Sequence, residues 1–183
     1  KEVISESELG VLIENQLFES ALGIPNDESK LWGENLKLTG EERNSVNTEW
    51  KPTYGERALI KDNYNQLVLQ FQKGGDAGEH DSGYDKRRYY MMNLVIRAYN
   101  EGIAFRYHFP EATNGLFLHI VGEQTQFTFA EGTQAYYERW AQGPYELLPL
   151  NDWKDESERP LTLKLTNGLT VALAEAEMVD YAR

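Results

Sequence analysis

The chain has 183 residues, with 18 Lys plus Arg, 30 Asp plus Glu and no Cys. Its net charge of 18 − 30 = −12 repels polyphosphate and excludes a general binder of nucleic acid or of an anionic membrane. The lack of Cys excludes disulfides, thiolate zinc sites and a cysteine nucleophile. No run of about 18 apolar residues exists, so no transmembrane helix is expected. A domain of this size buries a sizeable core without staples. Aromatics are abundant (11 Tyr, 7 Phe, 4 Trp) beside 15 Gly, which favours pleated, half-buried strands separated by turns. The chain opens at Lys1 with neither an initiator Met nor a signal peptide. It is therefore read as a mature or cut product, or as a fragment without its first strands.

The first clear element is Gln66 to Lys73, where Leu67, Leu69 and Phe71 alternate on one face. Period two marks a strand with one wet face. Gly74 to Arg88 has no apolar run and reads as an exposed loop. Tyr89 to Tyr99 forms the next strand, with Met92, Leu94 and Ile96 opposite Asn93, Val95 and Arg97. After the Asn100-Glu101-Gly102 turn, Ile103, Phe105, Tyr107 and Phe109 alternate with Ala104, Arg106 and His108. A four-residue loop there pairs Ala98 with Ile103 and matches Leu94 and Ile96 with Tyr107 and Phe105. It is preferred to a three-residue loop pairing Tyr99 with Ile103.

Leu116, Leu118 and Ile120 continue the alternation, as do Thr125, Phe127 and Phe129. Thr133 to Ala141 reads equally as two helical turns or as an irregular crossover. The last hairpin is more definite. A two-residue Asn167-Gly168 loop would set the leucines of one strand opposite Thr170 and Ala172. A three-residue loop instead pairs Leu165 with Leu169, Leu163 with Val171 and Leu161 with Leu173, so all six apolar side chains share a face. That loop needs a left-handed residue closing a G1 bulge, and Gly168 is placed to supply it. Strands every ten residues or so, with no internal repeat or linker, indicate one all-β sandwich or barrel rather than βαβ units.

Few residues announce chemistry. Asp76, Gly78, His80 and Ser82 invite an EF-hand reading, but the third, fifth and twelfth places hold Gly78, His80 and Arg87. These are not the ligands such a loop requires. His80, His108 and His119 lack metal-ligand spacing, and no G-x-S-x-G elbow or glycine-rich phosphate loop occurs. Trp32, Trp50, Tyr54, Trp140, Tyr145 and Trp153 lie near turns, where aromatics stack on sugars or cover core edges. Glu175 and Glu177 share a face if the last strand continues. They would share a cation there, or form a solvated edge that discourages aggregation. Pattern alone stops at an acidic all-β domain.

The wording of several motifs goes further. Trp50-Lys51-Pro52-Thr53-Tyr54-Gly55-Glu56-Arg57, followed by Asp62-Asn63-Tyr64-Asn65, resembles the N-terminal domain of glycoside hydrolase family 97. So does Arg97 to Tyr107 (RAYNEGIAFRY), the most specific stretch. Glu123 to Phe127, Arg159-Pro160-Leu161-Thr162, Asn167-Gly168, Glu175-Ala176 and Asp180-Tyr181 follow in order, and Leu9-Gly10 is a further landmark. The resemblance covers nearly the whole chain.

It implies a β-super-sandwich of two large, mainly antiparallel sheets, galactose-mutarotase-like, as one domain over 1–183. That domain would lack its first strands and would precede a catalytic (β/α)8 barrel. Enzymes of this family are exo-acting α-glucosidases or α-galactosidases, typically in the bacterial periplasm, acting on α-linked oligosaccharides with an active-site calcium ion. The barrel supplies the catalytic carboxylates, so this chain is expected to hold no catalytic residue. The N-terminal domain packs on the barrel and gives one glutamate to the calcium. The family pattern matches that residue to Glu175 rather than Glu177. A carboxylate is the hard oxygen ligand calcium prefers. The alternatives are a free-standing carbohydrate-binding module and a structural docking domain.

Overall fold

The computed structural model describes residues 2–14, 33, 36–74, 89–110, 119–153 and 156–176. Among them no α-helix occurs; the order is β1 (Val11–Glu14), β2 (Lys37–Trp50), β3 (Ile60–Gly74), β4 (Tyr89–Ala98), β5 (Ile103–His108), β6 (His119–Glu123), β7 (Gln134–Tyr137), β8 (Glu146–Pro149), β9 (Leu161–Lys164) and β10 (Thr170–Leu173). The all-β class, with antiparallel sheets, is what the sequence reading expected. The Gly74–Arg88 loop, apart from Gly74 itself, lies outside the described residues, as do His80, Trp32 and Leu116 to Leu118. By contacts the chain divides into two compact units, Leu12–His119 and Lys1–Val11 with Ile120–Arg183.

The Leu12–His119 unit is built on one antiparallel sheet of order β2-β3-β4-β5. Its register puts Leu67, Leu69 and Phe71 beside Ile96, Leu94 and Met92, and Ile96 and Leu94 beside Phe105 and Tyr107 of β5. That is the apolar face the alternation marks out. The opposite face carries Val68 beside Val95 and Gln66 beside Arg97. Met92, Leu94 and Val95 are all buried, so β4 is covered on both faces and forms the middle of the unit. The four-residue loop is confirmed: Ala98 pairs with Ile103, and the Tyr99 N–H donates to the Gly102 carbonyl at 2.9 Å.

β2 has little sequence signature. Of its fourteen residues only Gly40 and Val46 are not exposed. It is a strand because β3 offers a free edge of backbone N–H and C=O groups, and pairing that edge satisfies both. Polar side chains then tie the ribbon together across the strands. Ser45 Oγ donates to Asn65 Oδ1 at 2.7 Å, and Gln70 Nε2 donates to Glu42 Oε1 at 2.8 Å. A register shift between Leu38 and Gly40 leaves Thr39 as the extra residue of a bulge.

The other unit centres on an antiparallel sheet of order β10-β9-β7-β8. The segment expected as two helical turns or a crossover holds β7 instead, because Gln134 to Tyr137 obeys period two. Ala135 and Tyr137 are buried while Tyr136 faces out. Ala135 pairs with Leu163 on one side and with Leu148 on the other. Ala135 and Leu163 have no exposed surface, and Leu165 and Thr133 are nearly as buried. Thr133 is satisfied there: its Oγ1 donates to the Ala130 carbonyl at 2.7 Å.

Thr125 to Phe129 does not form the expected strand, apart from an isolated bridge between Ser5 and Thr128. Gln124 and Gln126 still donate to the Gly10 and Glu8 carbonyls. The Thr128 N–H, however, is taken by Ser7 Oγ at 2.9 Å. A side-chain acceptor in place of a backbone carbonyl breaks the ladder there.

The β9–β10 hairpin has the three-residue loop. Val171 pairs with Leu163 and Leu173 with Leu161, and the Leu165 N–H donates to the Leu169 carbonyl at 2.9 Å. Gly168 lies at φ +86°, and nothing comes within 4 Å of a Cβ built on it. Its requirement is therefore conformational rather than steric. Gly168→Ala is expected to lower stability by about 1–2 kcal/mol, the cost of a left-handed Ala. Gly102→Ala is the control: it too meets open space and its φ is ordinary. It should be neutral or slightly stabilising in denaturant titration, and equal losses from both would refute the turn assignment.

Candidate functional site

The one metal ligand expected from sequence, Glu175, is described and sits at the open end of the β9–β10 hairpin. Leu161 pairs with Leu173, so continuing the ladder brings Arg159 opposite Glu175. Arg159 Nε lies 2.7 Å from Glu175 Oε2, and the two side chains are 50% and 42% exposed. The register set at Gly168 thus also brings this charged pair together. Glu177, Asp180 and Tyr181 lie outside the described residues.

Calcium takes six to eight oxygen ligands. Among the described residues, no group of three or more His, Cys, Asp or Glu is arranged to hold a metal ion. A single half-exposed carboxylate supplies a hard oxygen donor but does not make a calcium site by itself. The guanidinium beside it orients the carboxylate and competes with any cation for it.

The turn aromatics separate into two groups. Trp153 covers a core edge, its ring 5.4 Å from that of Tyr137. Trp50, Tyr54, Trp140 and Tyr145 are exposed, Tyr54 almost completely at 90%. The Arg139 guanidinium lies 5.4 Å from the Trp140 ring centroid. Tyr136 pairs with Leu147 across β7 and β8, and one step further this face brings Glu138 toward Tyr145. A hydrogen bond to Glu138, and then its negative charge, hold the Tyr145 phenol above its ordinary range. His108 is exposed at the end of β5.

A cluster that sequence reasoning missed lies in the other unit. The Arg97 guanidinium sits 4.4 Å over the Tyr64 ring, and its Nε donates to Gln66 Oε1 at 2.9 Å. The Tyr64 and Tyr99 rings are 5.1 Å apart. Period two put Arg97 on a strand, but its partners are more than thirty positions away.

Together these features define an all-β chain of antiparallel sheets with an exposed carboxylate at a hairpin end. The chain belongs to the Glycosyl-hydrolase 97 N-terminal family, whose sequence profile matches residues 1–183. It is 25% identical over 179 residues to a retaining alpha-galactosidase of Bacteroides thetaiotaomicron, an alignment covering 88% of this chain and 24% of that protein. A glycoside hydrolase family 97 enzyme from Pseudoalteromonas sp. strain K8 shares the fold, with a TM-score of 0.78 and 24% identity over 100% of this chain and 25% of that one. A structure of a family 97 enzyme from the same strain in complex with acarbose gives 0.76. A beta-arabinopyranosidase aligns over 94% of this chain with a TM-score of 0.68 at 19% identity. The chain spans about a quarter of the length of these relatives.

Two outcomes check the local chemistry. Glu138→Gln should lower the Tyr145 pKa toward the ordinary tyrosine value, read by NMR titration of the phenol ring; no movement would remove Glu138 as the cause. The neutral phenol is the form Glu138 favours, so its contribution is present below pH 10 and is lost as pH rises through the folded pKa. Arg159→Ala should cost less than about 1 kcal/mol in denaturant titration, since exposed ion pairs are screened.

Proposed function

We propose that this chain is the non-catalytic N-terminal domain of an exo-acting α-glucosidase or α-galactosidase, both units together forming the domain over 1–183. It packs on the catalytic (β/α)8 barrel and gives Glu175 to the active-site calcium. The substrate is an α-linked oligosaccharide, and the bacterial periplasm is the site of action. The observation that carries this reading is the family match over residues 1–183, in a chain a quarter the length of the enzymes it resembles. The exposed, hard-oxygen carboxylate of Glu175 at a hairpin end supports the calcium part. Glycoside hydrolysis needs two carboxylates placed across the scissile bond, and the proposal assigns both to the barrel.

The test compares this chain with the full-length polypeptide on aryl α-galactoside and α-glucoside. Turnover is expected from the full-length polypeptide and not from the chain; robust hydrolysis by the chain alone would overturn the proposal. In the full-length polypeptide, Glu175→Gln should weaken calcium binding by about tenfold or more through loss of a charged ligand. Unchanged affinity in a calcium titration would remove Glu175 from the site.

A second reading, a free-standing carbohydrate-binding module, is favoured by the exposure of Tyr54, Trp140 and Tyr145. It requires heat on titrating this chain with α-linked oligosaccharide, and a silent titration at millimolar ligand would end it.

A further inference from the structure

The β2–β3 hairpin outruns its sheet. β4 pairs with β3 only from Asn65 onward, yet β2 and β3 continue together for five more pairs, Val46↔Tyr64 to Trp50↔Ile60. This leaves a two-stranded ribbon about 15 Å long, ending in the Lys51–Leu59 loop. A lone two-stranded ribbon is marginal in water unless it packs on something. Its end carries Trp50 at 51%, Tyr54 at 90% and Leu59 at 42% exposure. Large exposed aromatic and aliphatic groups concentrated at one tip mark an interaction surface, and aromatic anchors of this kind dominate binding energy. Lys51, Glu56 and Arg57 in the same loop carry both signs of charge, so contact at this tip depends on the anchors rather than on net charge.

Trp50 to Arg57 forms the tip and Asp62 to Asn65 the adjoining ribbon. Arg97 and Tyr99 pack on Tyr64 at the ribbon's base.

We infer that the tip of the β2–β3 ribbon is a docking arm whose occupant is the part of the enzyme polypeptide outside this chain. The relatives contain that additional polypeptide, since the chain covers only 24–26% of them. The inference rests on the N-terminal-domain reading and names the surface through which that domain is held.

Hydrogen exchange followed by mass spectrometry tests it, comparing the full-length polypeptide with this chain alone. The β3 amides from Leu67 to Phe71, protected in both, serve as the folding reference. The Thr53–Leu59 amides are expected to exchange about tenfold or more slowly in the full-length polypeptide. Equal exchange in the two samples overturns the inference. So does protection that appears in the chain alone and rises with its concentration, which would make the occupant a second copy. The glycosidase reading fails separately: a full-length polypeptide without turnover but with a protected loop refutes that reading and leaves the arm standing. Turnover with an unprotected loop refutes the arm alone.

Discussion

The Leu12–His119 unit depends on how the two edges of β3 are filled. Every residue of a strand presents an N–H and a C=O that must find a partner or water. β2 fills one edge of β3 from Lys37 to Trp50. β4 fills the other edge only from Asn65 to Gly74. The fully paired part places Leu67, Leu69 and Phe71 beside β4 and buries Met92, Leu94 and Val95. The part paired on one side becomes the ribbon. The same strand thus makes a core at one end and a projecting surface at the other.

Arg97 stands at the junction. Its guanidinium covers the Tyr64 ring and donates to Gln66. A guanidinium can do both because its planar face stacks while its edge donates. Lysine has no such plane.

In the other unit, one turn has consequences at a distance. A left-handed Gly168 closes the loop, and the loop sets which residues of β9 and β10 face each other. A slip of one residue would turn the apolar face of one strand outward, and it would also separate Arg159 from Glu175. The position of the one carboxylate with an expected role therefore follows from backbone geometry at a glycine about seven residues away.

Strands with an alternating apolar face were legible in the sequence: β3 from Gln66 onward, β4 and β5, and the β9–β10 hairpin with its loop length. Each writes its contacts into a local period of two, because successive side chains of a strand point to opposite faces. The motif wording carried the family, and with it the expected role of Glu175, because such wording survives where pattern is ambiguous. Tertiary structure alone decided the rest. β2 is polar on both faces, so nothing local marks it; the open edge of β3 makes it a strand. Gln134 to Tyr137 was open to a helix until Leu163 and Leu148 flanked Ala135. Ser7 removed a strand at Thr128 by offering a hydroxyl where the ladder needed a carbonyl. These outcomes turn on partners far away in sequence, reached through backbone groups that every residue carries alike. Local composition therefore cannot record them.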